Sequence, residues 1–152
     1  MKRVLQAATG WFELGVPEEA LAELEVLGPE AMSRRDVLEI RLAAQMAVQA
    51  WNDASETARM LCLKAADEPM YFLRAAYCLH ETGDTREACN WLLRGPKSLF
   101  DMAVSHYNLA CYLWTLGEQG RARRHLKQAI AMDETLAEDA RSDRDLVGIG
   151  PL

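Results

Sequence analysis

The chain has 152 residues, half of them apolar, with a formal charge of −6 and a sequence pI of about 5.1. That length suits one compact domain able to bury a core, and the acidic balance argues against a nucleic-acid surface. No apolar stretch approaches the roughly 20 residues that a membrane span needs, so nucleic acid and membrane are both excluded as expected partners. Met1-Lys2-Arg3 followed by apolar residues faintly resembles a signal peptide, but Gln6, Thr9 and Gly10 interrupt the run.

Read from the N-terminus, the chain repeats itself at a 34-residue interval. Gly15, Gly83 and Gly117 share one register, with Gln49 in the vacant slot, and Ala20, Ala54, Ala88 and Ala122 follow five residues after each. Ala8, Leu42, Ala76 and Ala110 keep the same step, as do Leu24, Ala58, Leu92 and Leu126. A fixed period of this length signals stacked supersecondary units. Each unit reads as a helix, a tight turn and a second helix. Glycine suits the turn because it takes positive φ without a Cβ clash, and alanine is needed where two helices cross closely.

In the first unit Trp11 precedes the turn at Gly15, and Pro17 opens the second helix at a position where its missing N–H costs nothing. The second unit is the least regular. Gln49 replaces the turn glycine, and Arg41 and Gln45 fill slots that are apolar elsewhere, so its first helix is expected to shift by one residue. In the third, Phe72, Ala75, Ala76 and Leu79 form one apolar face, with Gly83, Ala88 and Leu92 following. In the fourth, Val104, Tyr107, Leu109, Ala110, Leu113 and Trp114 predict a helix over 103–115, broken at Leu116-Gly117-Glu118. A second helix over 119–132 follows, with Ala122, Leu126, Ala129 and Ile130 on its apolar side. Beyond it, Leu136, Ala137 and Ala140 are expected to cover the last repeat while Glu138, Asp139, Arg141 and Asp143 face water, and Gly148, Gly150 and Pro151 fray the end.

These residues resemble the tetratricopeptide repeat family. The segment His106-Tyr107-Asn108-Leu109-Ala110-Cys111-Tyr112-Leu113, continued by Gly117, Ala122, Leu126 and Ala129, is similar to the family pattern in nearly every structural slot. The repeat-ending proline is missing at Met32, Ala66, Phe100 and Glu134, with Pro29, Pro69 and Pro96 as nearby breaks. The resemblance implies an all-α, right-handed superhelical solenoid of antiparallel helix pairs. Four repeats would span residues 1–134, at about 1–34, 35–68, 69–102 and 103–136, with a capping helix and frayed tail over 135–152.

It also implies a concave groove lined by the first helices of the repeats, where a protein or peptide partner is held. The residues support this independently, because the first helices of the third and fourth units carry a second apolar stripe. Met70, Leu73 and Tyr77, flanked by Arg74 and His80, form it in the third; Val104, Tyr107, Cys111 and Trp114, with Asn108, form it in the fourth. An exposed apolar stripe marks a partner surface, and Tyr and Arg are enriched among residues that carry binding energy. The same aromatics would also fill a stacking interface. Tyr77 and Tyr107 occupy matching faces of consecutive repeats, which favours the groove, and the candidate site is Arg74, Tyr77, His80, Tyr107, Asn108 and Trp114.

Other chemistry is not expected. Cys62, Cys78, Cys89 and Cys111 form no Cys-x-x-Cys pair and occupy slots for small buried groups, which predicts reduced, buried thiols and a cytoplasmic setting. Asp139, Asp143 and Asp145 lack the ligand order of a calcium loop and read as a solvated acidic helix end. Gly148-Ile149-Gly150 follows no strand, so no phosphate loop is expected. His80, His106 and His125 have no nucleophile placed beside them by the sequence. The chain is read as a non-enzymatic interaction module without metal or cofactor, the alternative being a dedicated client chaperone. The slots that hold a heat-shock chaperone's terminal carboxylate in some family members contain Leu5, Thr9, Ile40, Met70 and Arg74, so that ligand is not expected. Six glutamates without a basic residue between Trp11 and Glu30, against Arg121, Arg123, Arg124, His125 and Lys127 without an acid between Gln119 and Met132, allow weak self-association.

Overall fold

The computed structural model describes residues 1–151. They fold into helices with no strand: α1 (Lys2–Glu13), α2 (Pro17–Leu24), α3 (Pro29–Met32), α4 (Arg35–Ala47), α5 (Trp51–Lys64), α6 (Pro69–Glu81), α7 (Thr85–Arg94), α8 (Ala103–Thr115), α9 (Gln119–Met132) and α10 (Leu136–Ser142). Two 3₁₀ segments, Lys97–Asp101 and Arg144–Leu146, complete the described residues. Helices adjacent in sequence pack as pairs, α1 with α2, α4 with α5, α6 with α7 and α8 with α9. The chain forms two compact units, Met1–Ala66 and Asp67–Leu152. In the first unit α2 also packs on α4, and in the second α7 packs on α8, so the second helix of one pair lies against the first helix of the next.

The residues that set the sequence register make these contacts. Ala8, Leu42, Ala76, Ala110, Ala20, Ala54, Ala88, Ala122, Leu24, Ala58, Leu92 and Leu126 are each at most 1% exposed. Packing at this density leaves no room for a longer side chain at the alanine positions.

The turns share one backbone solution. Gly15, Gly83 and Gly117 have φ of 77°, 92° and 81°, and Gln49 takes the same left-handed conformation at 59°. The residue after each donates its N–H to the carbonyl five residues back: Val16 to Trp11 at 3.0 Å, Ala50 to Gln45 at 2.9 Å, Asp84 to Leu79 at 3.0 Å and Glu118 to Leu113 at 2.8 Å. This is the Schellman closure, which satisfies carbonyls that the helix end leaves open. The expected one-residue shift of α4 is therefore corrected. Arg35, Pro69 and Ala103 open α4, α6 and α8 in one 34-residue register, because Gln49 accepts the left-handed backbone and Gln45 is buried in an apolar slot at 3% exposure.

A side chain in the left-handed region costs roughly 1–2 kcal/mol, partly offset by the greater backbone entropy that glycine loses on folding. Gln49→Gly is expected to raise the unfolding free energy by about 0.5–1 kcal/mol. A chemical denaturation midpoint that falls would contradict this account of the turn.

All four cysteines are buried and outside any disulfide. Burial pushes the thiols up, to about 12 at Cys62 and Cys78 and about 11 at Cys89. They remain protonated apolar fillers at neutral pH.

Candidate functional site

Helical spacing puts Met70, Leu73, Arg74, Tyr77, His80 and Glu81 along one side of α6, and Val104, Tyr107, Asn108, Cys111 and Trp114 along one side of α8. α6 presents this side from a firm start: Pro69 occupies its first position, and the Glu68 side chain accepts a hydrogen bond from the Met70 N–H.

The C-terminal segment of the chain lies across this surface. Tyr107 donates its hydroxyl to Asp143 Oδ2 at 2.7 Å, and Cys111 Sγ lies 3.9 Å from the same oxygen. His80 Nε2 is 3.0 Å from Asp145 Oδ2, while its Nδ1 is 2.9 Å from Thr85 Oγ1. A carboxylate only accepts, so Nε2 carries the proton given to Asp145. Arg144 Nη2 sits 2.7 and 2.9 Å from the two Glu81 oxygens. The Trp114 indole donates to the Val147 carbonyl at 3.0 Å. Arg123 of α9 lies 5.5 Å from the centre of the Trp114 ring and donates to the Pro151 carbonyl at 3.3 Å.

The segment shapes itself for this crossing. The Asp143 side chain accepts from the Asp145 N–H at 2.9 Å, a local turn that aspartate favours. Gly148 and Gly150 have φ of 82° and 71°, and these left-handed turns fold Ile149 back to 7% exposure, while Leu146 is at 2%. The expectation of a frayed end and of a water-facing Asp143 is thus corrected. The glycines turn the chain inward, and both aspartates bind side chains of α6 and α8.

The six candidate residues divide accordingly. Tyr107, His80 and Trp114 hold the C-terminal segment; Tyr107 is 8% exposed and the His80 side chain likewise 8%. Arg74, Tyr77 and Asn108 lie beside it, with Tyr77 at 38% exposure, and Met70 and Val104 continue this open stripe at 37% and 40%. Burial first, and then the hydrogen bond to Asp143, raise the Tyr107 pKa far above its ordinary value, so the phenol stays a donor. Burial, with Asp143 next, likewise raises Cys111. The sequence reading missed Glu81, Asp143, Asp145 and Arg123. The signal for the aspartates was their place beside Leu146 and Ile149 in a stretch with no helical period.

His80, Glu81 and Asp145 bring their ligand atoms within 4.8 Å of one another. Each is already engaged, and the Arg144 guanidinium supplies the positive charge that two carboxylates require. The trio is an ion-pair network rather than a cation site.

A second polar cluster joins α8 and α9. His106 Nε2 donates to the Phe100 carbonyl at 3.1 Å, which leaves its Nδ1 to accept from His125 Nδ1 at 3.0 Å. Burial, then the proximity of His106, Arg121 and Arg124, lowers the His125 pKa from its ordinary 6.5. The unfolded chain therefore binds a proton that the folded one refuses. Stability from this group is complete above pH 6.5 and erodes as pH falls below it. His125→Gln is expected to flatten the thermal midpoint between pH 6.5 and about 5; a slope parallel to that of the parent would refute this.

Comparison with known proteins relates the chain to solved structures. No family model matches the sequence, and no curated protein matches it significantly. The solved structure titled MamA MSR-1 C2 superposes with a TM-score of 0.79 at 17% identity, over 87% of this chain and 76% of that one. At that identity the likeness shows the fold: an all-α, tetratricopeptide-repeat-like helical solenoid. Among the described residues no helix is long and apolar enough to cross a membrane.

Proposed function

We propose that the chain is a protein-interaction module whose α6–α8 surface binds a peptide or helical segment of a partner protein. One observation carries the reading: this surface already holds a short turn-forming stretch of polypeptide, through Tyr107 to Asp143, His80 to Asp145 and Trp114 to the Val147 carbonyl. A surface that engages side chains and main chain of its own tail has the donors, the aromatic anchor and the apolar floor that peptide recognition needs. The open stripe of Met70, Tyr77 and Val104 extends that floor beyond the tail. A tetratricopeptide-like scaffold accords with this role, and four repeats with a C-terminal cap remain the organisation we assign to the chain.

The test is selection of peptides from a random displayed library against the full-length chain. Arg74→Glu and Tyr77→Ala are the probes of choice, because both side chains are partly exposed on the stripe beside the tail. Each is expected to weaken the selected peptides by about 1–3 kcal/mol, through a repulsive charge or a lost anchor, at unchanged helical signal. Peptides that bind both variants as tightly as the parent would place recognition elsewhere.

A further inference from the structure

We infer that residues 143–149 are a displaceable placeholder in the groove, and that the partner carries a turn-forming segment of the same pattern, Asp-x-Asp-Leu, which competes with it. The inference rests on the reading of the α6–α8 surface as a peptide site.

The pattern follows from what each position meets. The first aspartate takes the Tyr107 hydroxyl and the second takes His80 Nε2. The residue between them turns outward: the Arg144 side chain is 73% exposed and pairs with the carboxylates of Glu81 and its neighbour Asp145. That position tolerates variation, with a preference for a cation opposite Glu81. The leucine that follows is buried to 2%. A partner is therefore specified by two carboxylates spaced two residues apart and an aliphatic residue directly after the second.

Three features make the segment displaceable. It is tied at separate points by side chains. The helix that leads into it, α10, buries none of its residues and so serves as a tether. Behind it lies an open cleft of about 610 Å³ lined by Leu126, Ile130, Ala137, Ala140, Leu146 and Ile149, so the segment borders open space on that side. An attached segment competes at an effective concentration near the millimolar range, so an incoming segment needs contacts that the tail lacks. The stripe of Met70, Tyr77 and Val104, exposed at 37–40%, offers them directly beside the occupied part.

The experiment uses the full-length chain with Asp143→Ala and Asp145→Ala together, and a fluorescent peptide with the sequence of residues 142–151. Anisotropy is expected to show the peptide binding this double variant about tenfold or more tighter than the parent, as removal of an internal competitor requires. Adding Tyr107→Phe should reverse the gain. A folded double variant that ignores the peptide overturns the inference, and so does one that loses its helical signal. Hydrogen exchange on the unaltered chain gives an answer independent of any variant: the Leu146 and Ile149 amides should exchange about 100-fold or more faster than those of the α8 core, and equal protection overturns the inference. Concentration-dependent dimers of the parent that exchange tails would name a second copy as the occupant and overturn the proposed partner. If library-selected peptides still depend on Arg74 and Tyr77 while the tail peptide fails, the groove reading stands and the placeholder alone falls.

Discussion

Ala88→Trp is expected to destabilise the second unit by about 3 kcal/mol or more, at the upper end of what overpacking a well-filled interior costs. Ala88 is fully buried on α7, where α7 lies against α6. Its N–H closes the first helical turn on the Asp84 carbonyl at 3.0 Å. An indole there must separate two helices, or else leave its rotamer wells against side chains that have no space to yield. The shift should appear as a lower denaturant midpoint at nearly unchanged slope, since the surface exposed on unfolding is the same. A variant as stable as the parent would mean that the 34-residue alanine register marks something other than a close helix crossing.

That register explains how much of the architecture was legible in the sequence. The repeating positions are those where one physical demand allows few residue types: positive φ at Gly15, Gly83 and Gly117, and near-zero volume at Ala20, Ala54, Ala88 and Ala122. Gln49 shows the limit. A single tolerated exception, read from composition alone, looks like a slipped helix, yet the backbone keeps its turn and its six-residue closure. The candidate groove was half legible for a related reason. Helical period assigns Tyr77, Tyr107 and Trp114 to one side of their helices, but it says nothing of a covering segment. Asp143 and Asp145 meet partners 36 and 65 residues away and belong to no repeat, so neither spacing nor propensity pointed to them. Pairing of this kind is a tertiary event, and isolated acidic residues near a chain end ordinarily face water.

The occupied groove also changes which residues report on which property. Tyr107 had the character of an exposed anchor in sequence. Under the tail it becomes a structural donor, whereas Tyr77 and Arg74 keep the open surface. Substitutions at Tyr107 or His80 therefore act on the tail and on any partner together, whereas the partly exposed Arg74 reports chiefly on recognition.

A comparison of two buried leucines distinguishes a removable tail from a fixed cap. Leu126 of α9 is fully buried and Leu146 of the tail is at 2% exposure, and both line the same cleft. By burial alone their truncation should cost the same. Leu126→Ala is expected to lower stability by about 2–5 kcal/mol, the range for deleting a core leucine, because no state of the folded second unit escapes the cavity. Leu146→Ala is expected to cost less than about half of that, for a thermodynamic reason. If the tail undocks while the helix pairs stay folded, the folded ensemble includes a state in which Leu146 is already solvated. A mutation in the tail can then lower global stability by no more than the free energy of docking, whatever contact is lost. Denaturant unfolding of the two variants measures this directly. Equal losses would join Leu146 to the same cooperative core as Leu126, and exposing the groove would then require unfolding the unit that forms it.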